Sequence, residues 1–334
     1  MKGNGVFSPH VRKDAAVFCI SDRLCSGNGK ERIFMKFYQS ADGAAYFEEK
    51  TPAMQIGTPP PYADGTFTEK QPLHLTKMHG LGNDYLYSYG AVEDPAGVSI
   101  RLSDRHRGVG ADGLILILPS DIADFKMRIF NADGSEAKMC GNGIRCVGKY
   151  VYDKGYTDAT TLTVETLSGI KTLTLSTMAG KVRAVRVEMG TAEVRPPLTL
   201  QAGGKTVVCT PVSVGNPHAV IFTPDADAVA LERLGPLLEH HAAFPGGVNA
   251  EFVTVTGDNT LRMRVWERGS GVTMACGTGA CASAAAAVAA GYCDADADIA
   301  VHLDGGVLTV RVQADGSVQM TGPAAMVCEC EVPA

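Results

Sequence analysis

From Leu73 onward, short apolar-rich runs with β-branched and aromatic bias alternate with turn residues, the signature of strands. They fall at residues 114–118, 126–130, 161–166, 171–176 and 184–189. After Pro196-Pro197 the pattern restarts, at 207–214, 219–222, 251–256, 261–266, 299–303 and 308–312. Two stretches read as helices: one follows Cys140 and stops at Gly155, the other follows Cys276 and stops at Gly291. Many short strands with few helices predict an α+β fold rather than a doubly wound sheet.

The restart is a repeat. Met139-Cys-Gly-Asn-Gly143 and Ala275-Cys-Gly-Thr-Gly279 each place a cysteine before a glycine-rich turn that opens a helix. Asn131 and Glu267 lie nine residues before their cysteines; Gly155 and Gly291 follow by fifteen, Gly169 and Gly305 by twenty-nine. Asn83 and Asn216, in Leu81-Gly-Asn-Asp84 and Val214-Gly-Asn-Pro217, precede by fifty-seven and sixty. Matched offsets of this number predict a duplicated half. Two halves facing each other would bring both cysteines to one cleft.

Residues 1–72 stand apart. They hold Cys19, Cys25, an apolar patch at 33–38 and Thr58-Pro-Pro-Pro61, which reads as a linker because proline cannot continue a helix or central strand. No chemistry attaches to this segment. It reads as an appended module, a targeting extension or an over-long start, with its acidic residues arguing against a transit peptide.

Composition narrows the class. The 334-residue chain is 45% hydrophobic and 20% charged, the balance of a soluble globular protein, and long enough for two domains. A net charge of −6 gives no support to nucleic acid or anionic membrane as a partner. The apolar stretch 280–290 is mostly alanine and far short of a membrane span, so it reads as a buried helix. Ten cysteines without disulfide-framework or zinc-finger spacing fit a reducing, cytoplasmic setting. Cys328-x-Cys330 reads as two alternating residues of one strand. No metal cluster, phosphate loop or nucleotide fingerprint is present; Gly108-Val-Gly-Ala-Asp-Gly113 is set aside because strands are expected to flank it.

A thiol at a helix N-terminus is expected to have a lowered pKa, because free N–H groups and the helix dipole favour the thiolate. Two such thiols flanking one cleft suit inversion at a carbon next to a carboxylate. One removes the α-proton, the other protonates the opposite face. The backbone N–H groups of Gly141, Asn142, Gly277 and Thr278 would hold the carboxylate as charge develops. Cys146, Cys209, Cys281 and Cys293 read instead as small buried hydrophobes, Trp266 as core, and His79 and His218 as locally held histidines. For Asn83, Asn131, Asn216 and Asn249 a turn role and a ligand role both stay open. Glu267-Arg268, just upstream of Cys276, favours a functional pair over a solvated one.

These residues closely resemble the diaminopimelate epimerase family. The resemblance rests on Lys77-Met-His-Gly-Leu-Gly-Asn-Asp-Tyr85, on Phe130-Asn-Ala-Asp-Gly-Ser-Glu-Ala-Lys-Met-Cys-Gly-Asn-Gly-Ile-Arg-Cys146 and on Ser213-Val-Gly-Asn-Pro-His218. It continues through Phe244-Pro-Gly-Gly-Val-Asn249 and Glu267-Arg-Gly-Ser-Gly-Val-Thr-Met-Ala-Cys-Gly-Thr-Gly-Ala-Cys281, so it covers residues 73–334. It implies two pseudo-symmetric half-barrel domains, each a curved sheet around a central helix: 73–195, with 323–334 packing back on it, and 196–322. It implies cofactor-independent epimerisation of LL- to meso-diaminopimelate in lysine and peptidoglycan precursor synthesis, with Cys140 and Cys276 as the two bases. Gly141, Asn142, Gly277 and Thr278 would bind the reacting carboxylate, and Asn83, Asn131, Asn216, Asn249, Glu267 and Arg268 the rest of the substrate. It also implies a cytoplasmic homodimer. Two positions depart: Gly113 stands where some members carry glutamine, and Thr278 replaces a frequent serine. A proline or hydroxyproline racemase is the same-class alternative, and a non-catalytic redox thiol protein the different-class one.

Overall fold

The computed structural model describes residues 15–24, 30–39 and 45–48 as strands and residues 72–333 throughout. The Pro-rich stretch at 58–61 lies outside the described residues. The chain divides into two compact units, residues 1–74 with 327–334, and residues 75–326. In the first, β1 (Ala15–Leu24), β2 (Lys30–Gln39) and β3 (Ala45–Glu48) form an antiparallel sheet in that order.

The stretch 73–332 carries the duplication element by element. Its first half runs β4 (Leu73–Gly80), β5 (Asn83–Tyr89), α1 (Pro95–Ser103), β6 (Gly113–Leu118) and β7 (Phe125–Asn131). It continues with β8 (Glu136–Ala137), α2 (Gly141–Asp153), β9 (Thr161–Thr166), β10 (Gly169–Met178) and β11 (Lys181–Thr191). Two connecting strands follow, β12 (Glu193–Val194) and β13 (Leu198–Ala202). The same order then recurs as β14 (Lys205–Ser213), β15 (Pro217–Phe222), α3 (Leu231–Glu239), β16 (Asn249–Gly257), β17 (Thr260–Glu267) and β18 (Gly271–Val272). It closes with α4 (Gly277–Ala289), β19 (Asp298–Leu303), β20 (Gly306–Val312), β21 (Ser317–Pro323) and β22 (Ala325–Val332), the last carrying Cys328 and Cys330.

Pairing repeats with the order. β4–β5 and β14–β15 are antiparallel, β5–β6 and β15–β16 parallel, β6–β7 and β16–β17 antiparallel. β7–β9 and β17–β19 are parallel, and both halves end in an antiparallel meander. The halves join through β11 and β21, which are equivalent strands: they pair antiparallel with Val187 opposite Met320. Fold class and pseudo-symmetry are as the sequence implied. The boundary expected at 195/196 falls between β12 and β13.

Each half wraps its sheet around one helix because that helix is apolar where it faces strands. α2 buries Ile144, Cys146, Val147, Tyr150 and Val151, each full burial of a large apolar side chain contributing roughly 1.5–3 kcal/mol. α4 does the same with alanines, and Ala280, Ala282 and Ala284 to Ala287 are all buried, letting strands approach closely. A second, smaller apolar cluster lies under α3, where Leu231 and Leu238 meet Ala250 and Phe252.

Two helices differ from the sequence reading. α1 escaped it because two of its three buried residues are serines, Ser99 and Ser103, and leave no apolar stripe. α3 escaped it because Gly235 and Pro236 interrupt it, yet Gly235 is needed where Trp266 lies against its backbone. The Gly108 to Gly113 loop is therefore preceded by a helix and followed by a strand, not flanked by strands.

Candidate active site

Each candidate thiol caps the central helix of its half. Cys140 (φ −135°) precedes α2 and Cys276 (φ −119°) precedes α4, both in extended backbone. The Gly143 N–H donates to Cys140 Sγ at 3.3 Å and the Gly279 N–H to Cys276 Sγ at 3.4 Å, so sulfur takes the capping role usual for serine or aspartate. Regular helical bonding starts only at the N–H groups of Ile144 and Ala280, which reach back to the Cys140 and Cys276 carbonyls. The N–H groups of Gly141, Asn142, Gly277 and Thr278 precede it.

The two helix ends meet. A methyl at Gly141 would lie 3.6 Å from Gly277 Cα, and one at Gly277 would lie 3.5 Å from Gly141 Cα. Both would also press on Met320, at 3.2 and 3.0 Å. Glycine keeps both helix ends clear of the Met320 side chain while the two backbones come close. The Asn142 amide donates across the junction to the Ala275 carbonyl at 2.9 Å.

On the first half, Asn83 Oδ1 accepts from Cys140 Sγ at 3.4 Å and from Asn142 Nδ2 at 3.3 Å. Its amide faces that way because Nδ2 donates to Asp112 Oδ2 at 2.8 Å. Asp112 is in turn held by Arg105, which also bonds Asp84. On the second half, Thr278 Oγ1 lies 3.6 Å from Cys276 Sγ and accepts from Asn216 Nδ2 at 3.3 Å. Asn216 Oδ1 meets His218 Nε2 at 3.0 Å, and His218 Nδ1 meets Glu251 Oε1 at 2.6 Å in a fully buried pair. Glu267 accepts from Thr273 Oγ1 at 2.5 Å. Asn249 Oδ1 accepts from the Arg268 N–H at 2.8 Å, and the Arg268 guanidinium reaches the Gly246 carbonyl.

The structure thus gathers Cys140, Asn83 and Asn142 in one cluster and Cys276, Thr278 and Asn216 in the other. The Asn131 amide stays in its own turn, donating to Ser135 Oγ at 3.0 Å. His218 is a held histidine, as expected, but held beside the site rather than away from it.

The lowered thiol pKa expected from the helix termini is not what the fold produces in the absence of substrate. Burial pushes the Cys140 thiol up, and the Gly143 N–H recovers only part of that. Burial pushes Cys276 well up, with the nearby Glu267 and Glu251 carboxylates adding to it. Burial likewise raises the Glu267 carboxyl, against the Thr273 and Cys276 hydrogen bonds. Desolvation outweighs the helix terminus at both caps.

Three contributors went unread in the sequence: Asp112, Arg145 and Glu251. The repeat offset held a signal for the last two. Ile115 and Glu251 both lie twenty-five residues before their cysteine, Arg145 and Cys281 both five after, so an apolar residue is matched to a carboxylate and a guanidinium to a thiol. Among the described residues no group of three or more His, Cys, Asp or Glu could hold a metal ion, and no helix is long and apolar enough to cross a membrane.

Known proteins match this arrangement at two depths. Solved structures share the fold. A phenazine biosynthesis protein of the PhzF family from Bacillus anthracis superposes with a TM-score of 0.63 at 17% identity, covering 79% of this chain and 99% of its own. A probable proline racemase from Agrobacterium radiobacter gives 0.62 at 19%, covering 78% and 92%. Sequence relatives reach further. A diaminopimelate epimerase from Acetivibrio thermocellus is 49% identical over 276 residues, spanning 78% of this chain and 98% of the relative. One from Methanococcus maripaludis is 50% identical over 277 residues, spanning 78% and 99%. The family model described as diaminopimelate epimerase matches residues 75–195 and 210–327, a stretch in each half. On that match, and on relatives aligned over nearly their whole length, the chain belongs to the diaminopimelate epimerase family.

Proposed function

We propose that this chain interconverts LL- and meso-diaminopimelate, with Cys140 and Cys276 as acid and base on opposite faces of one α-carbon. The observation that carries the reading is the meeting of two thiol-capped helix N-termini at Gly141 and Gly277. A thiolate on one side takes the α-proton and becomes a thiol. The electron pair passes into the carboxylate-conjugated carbanion, and the opposite S–H returns a proton to the other face, leaving a thiolate there. The N–H groups of Gly141, Asn142, Gly277 and Thr278 receive the carboxylate whose charge grows in that step, at two positive helix ends. No cofactor enters this scheme.

The remaining polar groups fit a substrate with an amino-acid group at each end. Glu267 suits an ammonium, Arg268 a carboxylate, and Asn83, Asn131, Asn216 and Asn249 supply donors and acceptors for both. A substrate with one charged end would make no use of a second ammonium and carboxylate set, which is the argument against a proline substrate. A homodimer and a cytoplasmic location complete the reading. Light scattering on the purified protein tests the first; a monomer at working concentration removes it.

The reaction is tested by incubating the reduced protein with LL-diaminopimelate in deuterated water and following the α-hydrogen by NMR. Deuterium incorporation with appearance of the meso isomer is expected. Exchange with proline but not diaminopimelate selects the racemase reading, and exchange with neither removes the enzyme reading.

A further inference from the structure

The two halves repeat strand for strand, yet the surroundings of their thiols differ by two buried charges. The methyl that alanine would add at Gly143 would lie 2.6 Å from Ile115 Cδ1, whereas the same methyl at Gly279 would lie 2.9 Å from Glu251 Oε1. Both glycines are third in their helix and donate to the capping sulfur. One position behind the cap therefore holds a methyl group on the Cys140 side and a carboxylate on the Cys276 side. Both side chains are 0% exposed. Glu251 Oε2 has no hydrogen-bond partner, so the carboxylate is only half satisfied, by His218.

The second charge sits on the other half. Arg145 is fully buried in α2, and its hydrogen bonds go to the Gly141 and Pro323 carbonyls, Asn142 Oδ1 and Met320 Sδ, none of them a carboxylate. The slot is built for it: a methyl at Gly80 would lie 2.8 Å from its Nη2, and one at Gly322 would lie 3.0 Å from its Nε. The position equivalent to Arg145 in α4 is Cys281, which is uncharged as a thiol. A cation thus lies behind Cys140 and an anion behind Cys276, each without its counterpart across the repeat.

Resting on the epimerase reading above, we propose that Arg145 and Glu251 are positioning residues that make the two thiols inequivalent, so that Cys140 loses its proton first and Cys276 keeps its own. Other groups near the thiols do not reverse this order. Glu267 acts against ionisation of both sulfurs. Tyr85, Tyr87 and Cys146 near Cys140 are neutral when protonated, and burial pushes all three up. His218, on the Cys276 side, meets only Oε1 of Glu251 and leaves Oε2 unpaired. An ordered pair also has a kinetic sense. Of the two thiols it is Cys140 that ionises in the free enzyme, and after each turnover in one direction the site must exchange protons with water to return to that form.

The test reads each thiol separately and needs no substrate, so its failure is distinct from failure of the epimerase reading. The full-length reduced protein is alkylated with iodoacetamide across a range of pH, and the rate at Cys140 and at Cys276 is followed by mass spectrometry of their peptides. Access scales such a rate but does not move its midpoint. The midpoint for Cys140 is expected to lie below that for Cys276. In Glu251→Gln, which keeps the shape and the bond to His218, the Cys276 midpoint is expected to fall by roughly one pH unit or more while that of Cys140 stays. In Arg145→Gln the Cys140 midpoint is expected to rise, with Arg145→Lys restoring it. Equal midpoints in the unaltered protein, or a Glu251→Gln midpoint unchanged at Cys276, overturn the proposal. Should Arg145→Gln fail to fold, the Glu251→Gln result alone decides.

Discussion

Replacing Cys140 or Cys276 singly by alanine is expected to abolish epimerisation while leaving the fold in place, because it removes one sulfur with its bonds to Gly143 and Asn83 or to Gly279 and Thr278 and no larger packing group. NMR turnover with circular dichroism checks both; near-full turnover in either variant removes the two-base scheme. Thr278 allows a finer cut. Its hydroxyl lies 3.6 Å from Cys276 Sγ and accepts from Asn216. Thr278→Ser keeps that hydroxyl and should keep activity, whereas Thr278→Val should lower kcat by about a hundred- to a thousandfold, the scale of losing one preorganised polar contact. At this scale the sequence was legible where chemistry and spacing coincide. The two cysteines and the asparagine before each could be placed by counting. The lowered thiol pKa could not, because desolvation depends on what the fold packs above the cap. Arg145 and Glu251 were equally hidden, since a buried charge looks like any surface charge until its register is known.

Among the elements, the junction of α2 and α4 bears most directly on the site. Gly277→Ala places a methyl 3.0 Å from Met320 Sδ and 3.5 Å from Gly141 Cα. Displacing Met320 is expected to cost about 1–3 kcal/mol, typical of overpacking, and the added methyl narrows the space between the two caps. A lowered urea midpoint together with lost activity is the expected result; a stable, active variant removes the close junction. The Asp84 carboxyl on β5 has its own signature. Burial alone would raise the Asp84 carboxyl, but hydrogen bonds from Arg105 and Lys77, with their charges, hold it below the ordinary range. A depressed carboxyl stabilises the fold above its unfolded value, near pH 4, and that contribution is lost as pH falls through its lower folded value. Asp84→Asn should therefore flatten the acid side of a stability-versus-pH curve below about pH 4, measured by thermal unfolding. Strands were the legible elements, since each carried its apolar run. The missed helices lacked the pattern for physical reasons: Ser99 and Ser103 face the core in α1, where Ser99 Oγ donates to the Phe130 and Asn131 carbonyls, and a glycine–proline pair breaks α3.

For the whole molecule, the division at residues 74 and 75 makes a shortened protein informative. A chain beginning at Leu73 lacks β1 to β3 and keeps every candidate site residue. It is expected to retain epimerase activity; loss of activity in a folded protein of that length would give residues 1–72 a role in the site. The repeat itself was readable because insertions between its landmarks are few. What the repeat could not convey was where equal positions carry unequal residues, since matching rewards likeness.

The pairing of β11 with β21 has a consequence for how such a site can exist at all. Counting along the two meanders makes Val187 and Met320 equivalent, and these two face each other. Arg186 faces Thr321, the counterpart of Glu188, and Glu188 faces Gln319, the counterpart of Arg186, the arithmetic of a twofold axis. Two identical half-length chains could dock through the same strands. They would be bound by symmetry, however, and every buried charge near one sulfur would appear near the other. Joining the halves in one chain lifts that rule. A lone Glu251 and a lone Arg145 are possible only because the axis is approximate, and a handed substrate meets a site whose own two sides have ceased to be copies.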